Sequence, residues 1–255
     1  MTFRTITFNM QNGQPWEEAA PDTIQINLER TVDFLNSQEA DVIFLQEVEQ
    51  GFEGGAQIDP PPHYSFLKKH LKGYDSVFAY PVANKTEIPF GLGLAIFSKS
   101  KLRDFEKTDL PAPGVEFEYA GASRKPSQRL LISSATVIQG REIRLLNTHL
   151  QAFFMIGSSS AEHSTQRDII AAALRSQTGP AILAGDLNCV PAEGVLEQFE
   201  LAGFRTAQNQ EVTWRRMPFV LDHLLYNPHL HLESCAVIPT LASDHHAVRA
   251  DFSFI

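Results

Sequence analysis

The chain has 255 residues, of which 43% are hydrophobic and 20% charged, and its formal net charge is −9 at pH 7. That length buries a substantial core in one large domain or two small ones, and the acidic balance argues against a protein that wraps nucleic acid through a general basic surface. No apolar run approaches the roughly 18 residues of a membrane span, and Cys189 and Cys235 are too few for a disulfide framework.

In chain order, Met1 to Asn9 alternates like a strand and lacks the charged and continuous apolar regions of a signal peptide, so a cytoplasmic protein is expected. Thr23 to Ser37 has helical spacing at Ile24, Leu28, Thr31, Val32 and Leu35, with Asp22 or Thr23 as its cap. The strand Asp41 to Gln46 follows, so the first fifty residues read strand, helix, strand. Gly51 to Pro62 is a Gly- and Pro-rich loop, and Tyr64 to Leu71 a short helix. Strands are expected at Ser76 to Tyr80 and Leu92 to Ser98 around the loop Pro81 to Gly91, and an irregular segment from Thr108 to Pro126. Arg129 to Ile138 and Glu142 to Thr148 read as a hairpin turned at Gln139-Gly140-Arg141. The loop Gln151 to His163, a helix Ser164 to Ser176, the strand Ala181 to Asp186 and a helix from Ala192 to Leu201 come next. Strands near Leu221 to Tyr226, Cys235 to Ile238 and Ala247 to Phe252 complete the chain. No repeat or linker divides it, so residues 1–255 read as one α/β domain of mixed sheets covered by helices.

Several apolar runs empty into polar residues. Val42-Ile43-Phe44-Leu45 ends in Gln46-Glu47, a second run ends in Asn147-Thr148-His149, and Ala181-Ile182-Leu183-Ala184 breaks at Gly185-Asp186-Leu187-Asn188. Asp222-His223 opens another strand, and Ser243-Asp244-His245 precedes the last. Carboxylates, amides and imidazoles gathered at buried strand ends suit metal-assisted hydrolysis, because a buried charge must be paired or bound to a metal. Taken singly, each has a plain structural explanation: Gly-Asp-x-Asn as a turn, Glu47 as a cap, His149 as a core histidine, Asp222 as an ion-pair partner, Asn9 as a strand end.

As an ordered set they carry more. The blocks Thr7-Phe8-Asn9, Leu45-Gln46-Glu47-Val48, Asn147-Thr148-His149-Leu150, Gly185-Asp186-Leu187-Asn188, Leu221-Asp222-His223 and Ser243-Asp244-His245 resemble, in content and order, the endonuclease/exonuclease/phosphatase superfamily. The resemblance implies a four-layer α/β sandwich of two packed mixed sheets flanked by helices, and a divalent-metal-dependent phosphoester hydrolase. It implies that Glu47 holds Mg²⁺ or Mn²⁺ with Asn9 and Asp244 close by, since hard cations favour oxygen ligands. Asp186 would orient and deprotonate water, Asn188 grip the phosphate, and His245 donate to a phosphoryl oxygen with Asp222 fixing its tautomer. His149 would contact the phosphate or assist the leaving group. The Asn-Thr-His-Leu form is similar to the deoxyribonuclease, sphingomyelinase and tyrosyl-DNA phosphodiesterase branches and unlike the AP endonucleases. Met10-Gln11-Asn12-Gly13 departs from the Asn-x-Asn-Gly or Asn-x-Asp-Gly of the repair enzymes.

The substrate expected is a phosphodiester, from nucleic acid or a nucleotide, taken by a monomer. A small-molecule phosphatase, a phospholipid phosphodiesterase and an inactive binding scaffold are the alternatives. Arg124, Arg129, Arg215 and Arg216 are candidates for a basic rim, against a reading of such pairs as solvated surface. Phe153-Phe154-Met155-Ile156 reads either as a loop facing lipid or substrate or as core tucked beneath a surface loop. Nine histidines leave a transition-metal site open. Dinucleotide, nucleophile-elbow and zinc-helix signatures are absent from the sequence.

Overall fold

The structure, a computed structural model, describes residues 1–52, 56–83, 93–119, 121–190 and 193–255. Its first sheet is built on a strand–helix–strand unit: β1 (Phe3–Asn9), α1 (Leu28–Ser37) and β2 (Val42–Gln46), with β1 and β2 parallel and Asn9 level with Gln46. Helix α2 (Pro62–His70), β3 (Asp75–Ala79) and β4 (Leu94–Ser98) follow, then β5 (Arg103–Leu110), β6 (Phe117–Tyr119), β7 (Ala122–Arg124) and the hairpin β8 (Arg129–Ile138) to β9 (Arg141–His149). Helix α3 (Thr165–Arg175) carries the chain to β10 (Ala181–Asp186), parallel to β9 with Asp186 level with His149. Helix α4 (Val195–Leu201), β11 (Arg205–Thr206), β12 (Asp222–Tyr226), β13 (Leu230–Ile238) and β14 (Ala247–Phe254) complete it.

The strands form two six-stranded sheets, ordered β13-β14-β1-β2-β4-β3 and β11-β12-β10-β9-β8-β5, with β6 and β7 paired separately. Each six-stranded sheet has one parallel pair at its centre and antiparallel strands outside it. Alternation along the central strands sorts the core into three layers. Val42 and Phe44 face Ile132, Leu145 and Ile182 between the sheets, whereas Ile43 and Leu45 pack with Val32, Leu35 and Leu67 of α1 and α2. On the far side Leu146 and Leu183 meet Ile170 and Leu174 of α3 and Phe199 of α4. The result is the expected four-layer sandwich.

This arrangement brings the polar ends together. The C-termini of the parallel strands β1, β2, β9 and β10 share an edge with the N-termini of antiparallel β12 and β14, which is where Asp222 and the Ser243-Asp244-His245 run lie. Across the layers, the Asn147 amide on β9 donates to the carbonyls of Leu45 and Ala95 at 2.9 Å each and accepts from Gln46 Nε2 at 2.7 Å. A buried amide thus binds one sheet to the other just below the polar edge.

Two local expectations are corrected. Helix α1 begins at Leu28, not near Thr23, because Asn27 supplies the cap by accepting the amide of Arg30 at 3.0 Å; Ile24 lies in the preceding loop, 74% exposed. The segment Thr108 to Pro126 is not wholly irregular, since it holds the end of β5 and the β6–β7 hairpin. Strand β5 has a mostly charged, exposed sequence and edges its sheet, so it lacks the alternation that marks a half-buried strand. The start predicted for the strand at Leu92, most of the Pro81 to Gly91 loop and the predicted helix start at Ala192 lie outside the described residues.

Candidate active site

Two turns at the strand ends and one close strand contact set the side chains. Glu47 and Asn188 follow β2 and β10 with φ of 49° and 46°, which swings each chain sharply at the sheet edge. Gly185 has a φ of 152°, and a Cβ there would stand 2.0 Å from the Thr148 carbonyl oxygen on β9. Only glycine allows β10 to press so closely against β9, and that approach sets Asp186 beside His149.

Asp186 Oδ2 is the point on which the site converges. It accepts from Asn9 Nδ2 at 3.0 Å and lies 3.5 Å from His149 Nε2 and 3.8 Å from His245 Nε2. Its other oxygen accepts the Asn188 amide at 3.0 Å. Burial, and then the neighbouring Asp222 charge, push the Asp186 carboxyl up to about 7. Asn9 Nδ2 also donates to Glu47 Oε1 at 2.9 Å, while its own oxygen accepts the Gln11 amide at 3.1 Å. One amide therefore holds both carboxylates, and burial raises Glu47 as well.

The two imidazoles are oriented oppositely. His245 Nδ1 lies 2.8 Å from Asp222 Oδ2, and an ionised carboxylate only accepts, so Nδ1 carries the hydrogen and Nε2 faces the cavity. Burial alone would lower its pKa, but Asp222, Asp186 and Asp244 outweigh it and raise His245 to about 10. His149 Nδ1 faces Arg129 Nη1 at 3.3 Å. A guanidinium only donates, so Nδ1 accepts and the hydrogen sits on Nε2, towards Asp186 and Glu47. Burial, with the charges of Arg129 and His245, lowers His149 well below the ordinary histidine value.

Asp244 is clamped from outside, accepting Trp214 Nε1 at 3.2 Å and Arg216 Nε at 2.9 Å through one oxygen. Its amide donates to Gln11 Oε1 at 3.2 Å. Asn188 spends its Nδ2 on the Leu150 carbonyl at 3.0 Å. Glu47, His149 and Asp186 bring ligand atoms within 4.8 Å of one another, as do Asp186, Asp222 and His245. In the second group His245 Nδ1 and Asp222 Oδ2 are already paired, while Asp222 Oδ1 has no hydrogen-bond partner among the described residues. In the first, the hydrogen on His149 Nε2 removes it as a ligand and leaves two carboxylates, Asp186 buried and Glu47 half-buried. These oxygen donors fit a divalent cation, which would offset the cost of burying them.

Of the residues expected to act, Asn9, Glu47, His149, Asp186, Asn188, Asp222, Asp244 and His245 are thus brought into one network. Arg129 and Arg216 line the same cavity of about 660 Å³. Arg124 and Arg215 do not line it; Arg215 donates to the Thr240 carbonyl and lies 3.7 Å from Glu18. The Phe153–Ile156 turn divides between the two readings: Phe153 is buried, whereas Phe154 lines the cavity and Met155 is 60% exposed there. Trp214 escaped sequence reading, since it stands in no apolar run that ends in polar residues, and Gln11 stands out only as part of a loop that departs from the repair enzymes.

Two mixed sheets with this polar network at one edge match the four-layer sandwich that the sequence resemblance implied. The Endonuclease/Exonuclease/phosphatase family profile matches residues 6–245, and the chain belongs to that family. In fold it is similar to an endonuclease/exonuclease/phosphatase from Bacteroides vulgatus (17% identity, all of both chains, TM-score 0.73). It is also similar to the human Nocturnin catalytic domain with bound sulfate (20%, all of this chain and 95% of that one, 0.68) and to D. rerio TDP2 complexed with a single-strand DNA product (19%, 99% of each, 0.65). No curated protein sequence matches significantly. Among the described residues no helix is long and apolar enough to cross a membrane.

Proposed function

We propose that the protein is a Mg²⁺- or Mn²⁺-dependent phosphodiesterase acting on nucleotide-type phosphodiesters, with the reaction centred on Asp186 Oδ2. The convergence of Asn9, His149 and His245 on that oxygen carries the reading. Glu47 would hold the cation, with Asn9 and Asp244 as the neighbouring polar groups. When bound, that ion neutralises phosphate charge and stabilises the in-line transition state. Asp186, with a pKa near the working pH, takes a proton from the attacking water. His245, kept cationic by Asp222, presents Nε2–H to a phosphoryl oxygen as negative charge builds there. His149 offers a second neutral donor, and Asn188 fixes the Asp186 carboxylate through its amide. The single-strand DNA product held by the similar D. rerio TDP2, and the sulfate held by the similar Nocturnin domain, support phosphoester chemistry on a nucleotide-type substrate.

The test is hydrolysis of bis(p-nitrophenyl) phosphate and p-nitrophenyl phosphate with Mg²⁺, Mn²⁺ or chelator, and with Asp186→Asn as control. Diester cleavage that needs both cation and Asp186 supports the reading. Cleavage confined to the monoester replaces it with a phosphatase.

A further inference from the structure

The cavity has a second character that phosphoester chemistry does not require. From His245 a run of rings leads outward: Trp214 lies 6.2 Å from the imidazole, Phe154 5.8 Å from Trp214, and Phe219 5.2 Å from Phe154, edge-on. Beyond the rings, Ile24, Ile26, Met155 and Ile156 continue the wall to the mouth, with Ile24 and Met155 largely exposed. Exposed apolar groups clustered at an opening mark a binding surface. The cations beside this wall are already engaged. Among the described residues of the lining these are Arg129 and Arg216. Arg129 donates to His149. Arg216 donates to Asp244, to Asp22 at 2.8 Å and to the Pro21 carbonyl, and lies over the Trp16 ring. The carboxylates of Asp22, Glu47, Asp186 and Asp244 line the same space. A bound cation can offset this charge for one phosphate, whereas among the described lining residues each further phosphate meets acidic groups with no uncommitted guanidinium to receive it.

We infer that the wall formed by Trp214, Phe154, Met155 and Ile24 is a subsite for a flat aromatic group attached to the scissile phosphate. The preferred substrate is then a small diester with one phosphate, such as an aryl or single-nucleoside ester, rather than a long strand. This rests on the phosphodiesterase reading above. A cavity of about 660 Å³ suits one such ligand.

The experiment compares kcat/KM for bis(p-nitrophenyl) phosphate and methyl p-nitrophenyl phosphate, which release the same phenolate. Their intrinsic difference in reactivity cancels when the wild-type ratio is divided by that of Phe154→Ser or of the exposed Ile24→Ser. Stacking on a ring is worth about 1–3 kcal/mol, so the diaryl preference should fall about tenfold in Phe154→Ser, mainly through KM, and by a smaller factor in Ile24→Ser. An unchanged ratio in both variants overturns the subsite while leaving the phosphodiesterase intact. Competition separates the occupants: dihexanoyl phosphatidylcholine inhibiting better than phenylphosphonate would replace the aromatic group with an acyl chain. A single-stranded 20-mer inhibiting better would replace the small diester with a polymer. If neither ester is cleaved, the reaction reading fails, and binding is then read from the fluorescence of Trp16 and Trp214 with Mg²⁺. Phenylphosphonate bound about tenfold tighter than methylphosphonate, with the difference lost in Phe154→Ser, keeps the subsite; equal affinities overturn it.

Discussion

Asp222 Oδ2 lies 2.8 Å from His245 Nδ1, and both groups are buried. The pair is what keeps an imidazolium inside the protein, and the sign of its effect can be worked out. The His245 pKa is raised in the folded state to about 10 from an ordinary 6.5. Its contribution to stability is therefore fully present below pH 6.5 and is lost as pH rises through 10. In metal-free protein the stability advantage of wild type over His245→Gln should be greatest near pH 6 and shrink towards pH 10 in urea melts. In the same geometry Asp222→Asn lowers kcat by about 10²–10⁴-fold, because the donor charge on His245 is lost while its ring stays in place. Retained activity in that variant would remove His245 as the proton donor.

Asp186 runs the other way. A carboxyl raised from 3.8 to about 7 makes the folded, metal-free protein progressively less stable as pH climbs between those values. Asp186→Asn should therefore melt above wild type at pH 8 without metal, with the difference vanishing near pH 4, while hydrolysis falls about 10³-fold. A cation held at Glu47 also favours the ionised form of the neighbouring Asp186 carboxyl, so apparent affinity should rise with pH up to about 7 and level off above it, which calorimetry in buffers of different ionisation enthalpy would detect as proton release.

Much of this site was legible because polar residues interrupt apolar runs at strand ends, where parallel pairing must bring them to one edge. The strand–helix–strand pattern sets Asn9 beside Glu47 and His149 beside Asp186, and it took the family resemblance of the ordered blocks to join the two pairs across the sheets. The flanking parts were not legible for physical reasons. Trp214 reaches Asp244 from a loop whose course depends on tertiary packing, and Arg216, expected at a basic rim, is turned by the same loop onto Asp244. Strand β5 is held by pairing to β8 and not by a hydrophobic face of its own. Ile24 has a helical spacing that a better cap at Asn27 overrides, and that release leaves it at the cavity mouth.

Gly185 ties the fold to the site. Gly185→Ala drives a methyl group to within 2.0 Å of the Thr148 carbonyl and forces apart the central parallel strands of the second sheet. A loss of about 4 kcal/mol or more is expected, well outside ordinary substitutions. Equilibrium unfolding in urea would measure it, and a loss below about 1 kcal/mol would show that the strands relax freely.

Asn147 belongs to the block that names the family yet touches none of the reacting groups. Its amide instead satisfies two carbonyls of the opposite sheet and the Gln46 side chain. Asn147→Leu keeps the volume and strips a donor from the Leu45 and Ala95 carbonyls, each costing about 1–3 kcal/mol when unsatisfied, while Gln46 Nε2 keeps only Thr7 Oγ1 at 3.1 Å. The variant should lose about 3 kcal/mol or more of stability. Because Glu47 directly follows Gln46, the register between Glu47 and the His149–Asp186 pair should loosen, weakening the half-saturating Mg²⁺ concentration severalfold. The pKa values of the pH–rate profile should stay where they are, since no titrating group has been altered. A shifted profile with undiminished stability would instead place Asn147 among the groups that tune the chemistry.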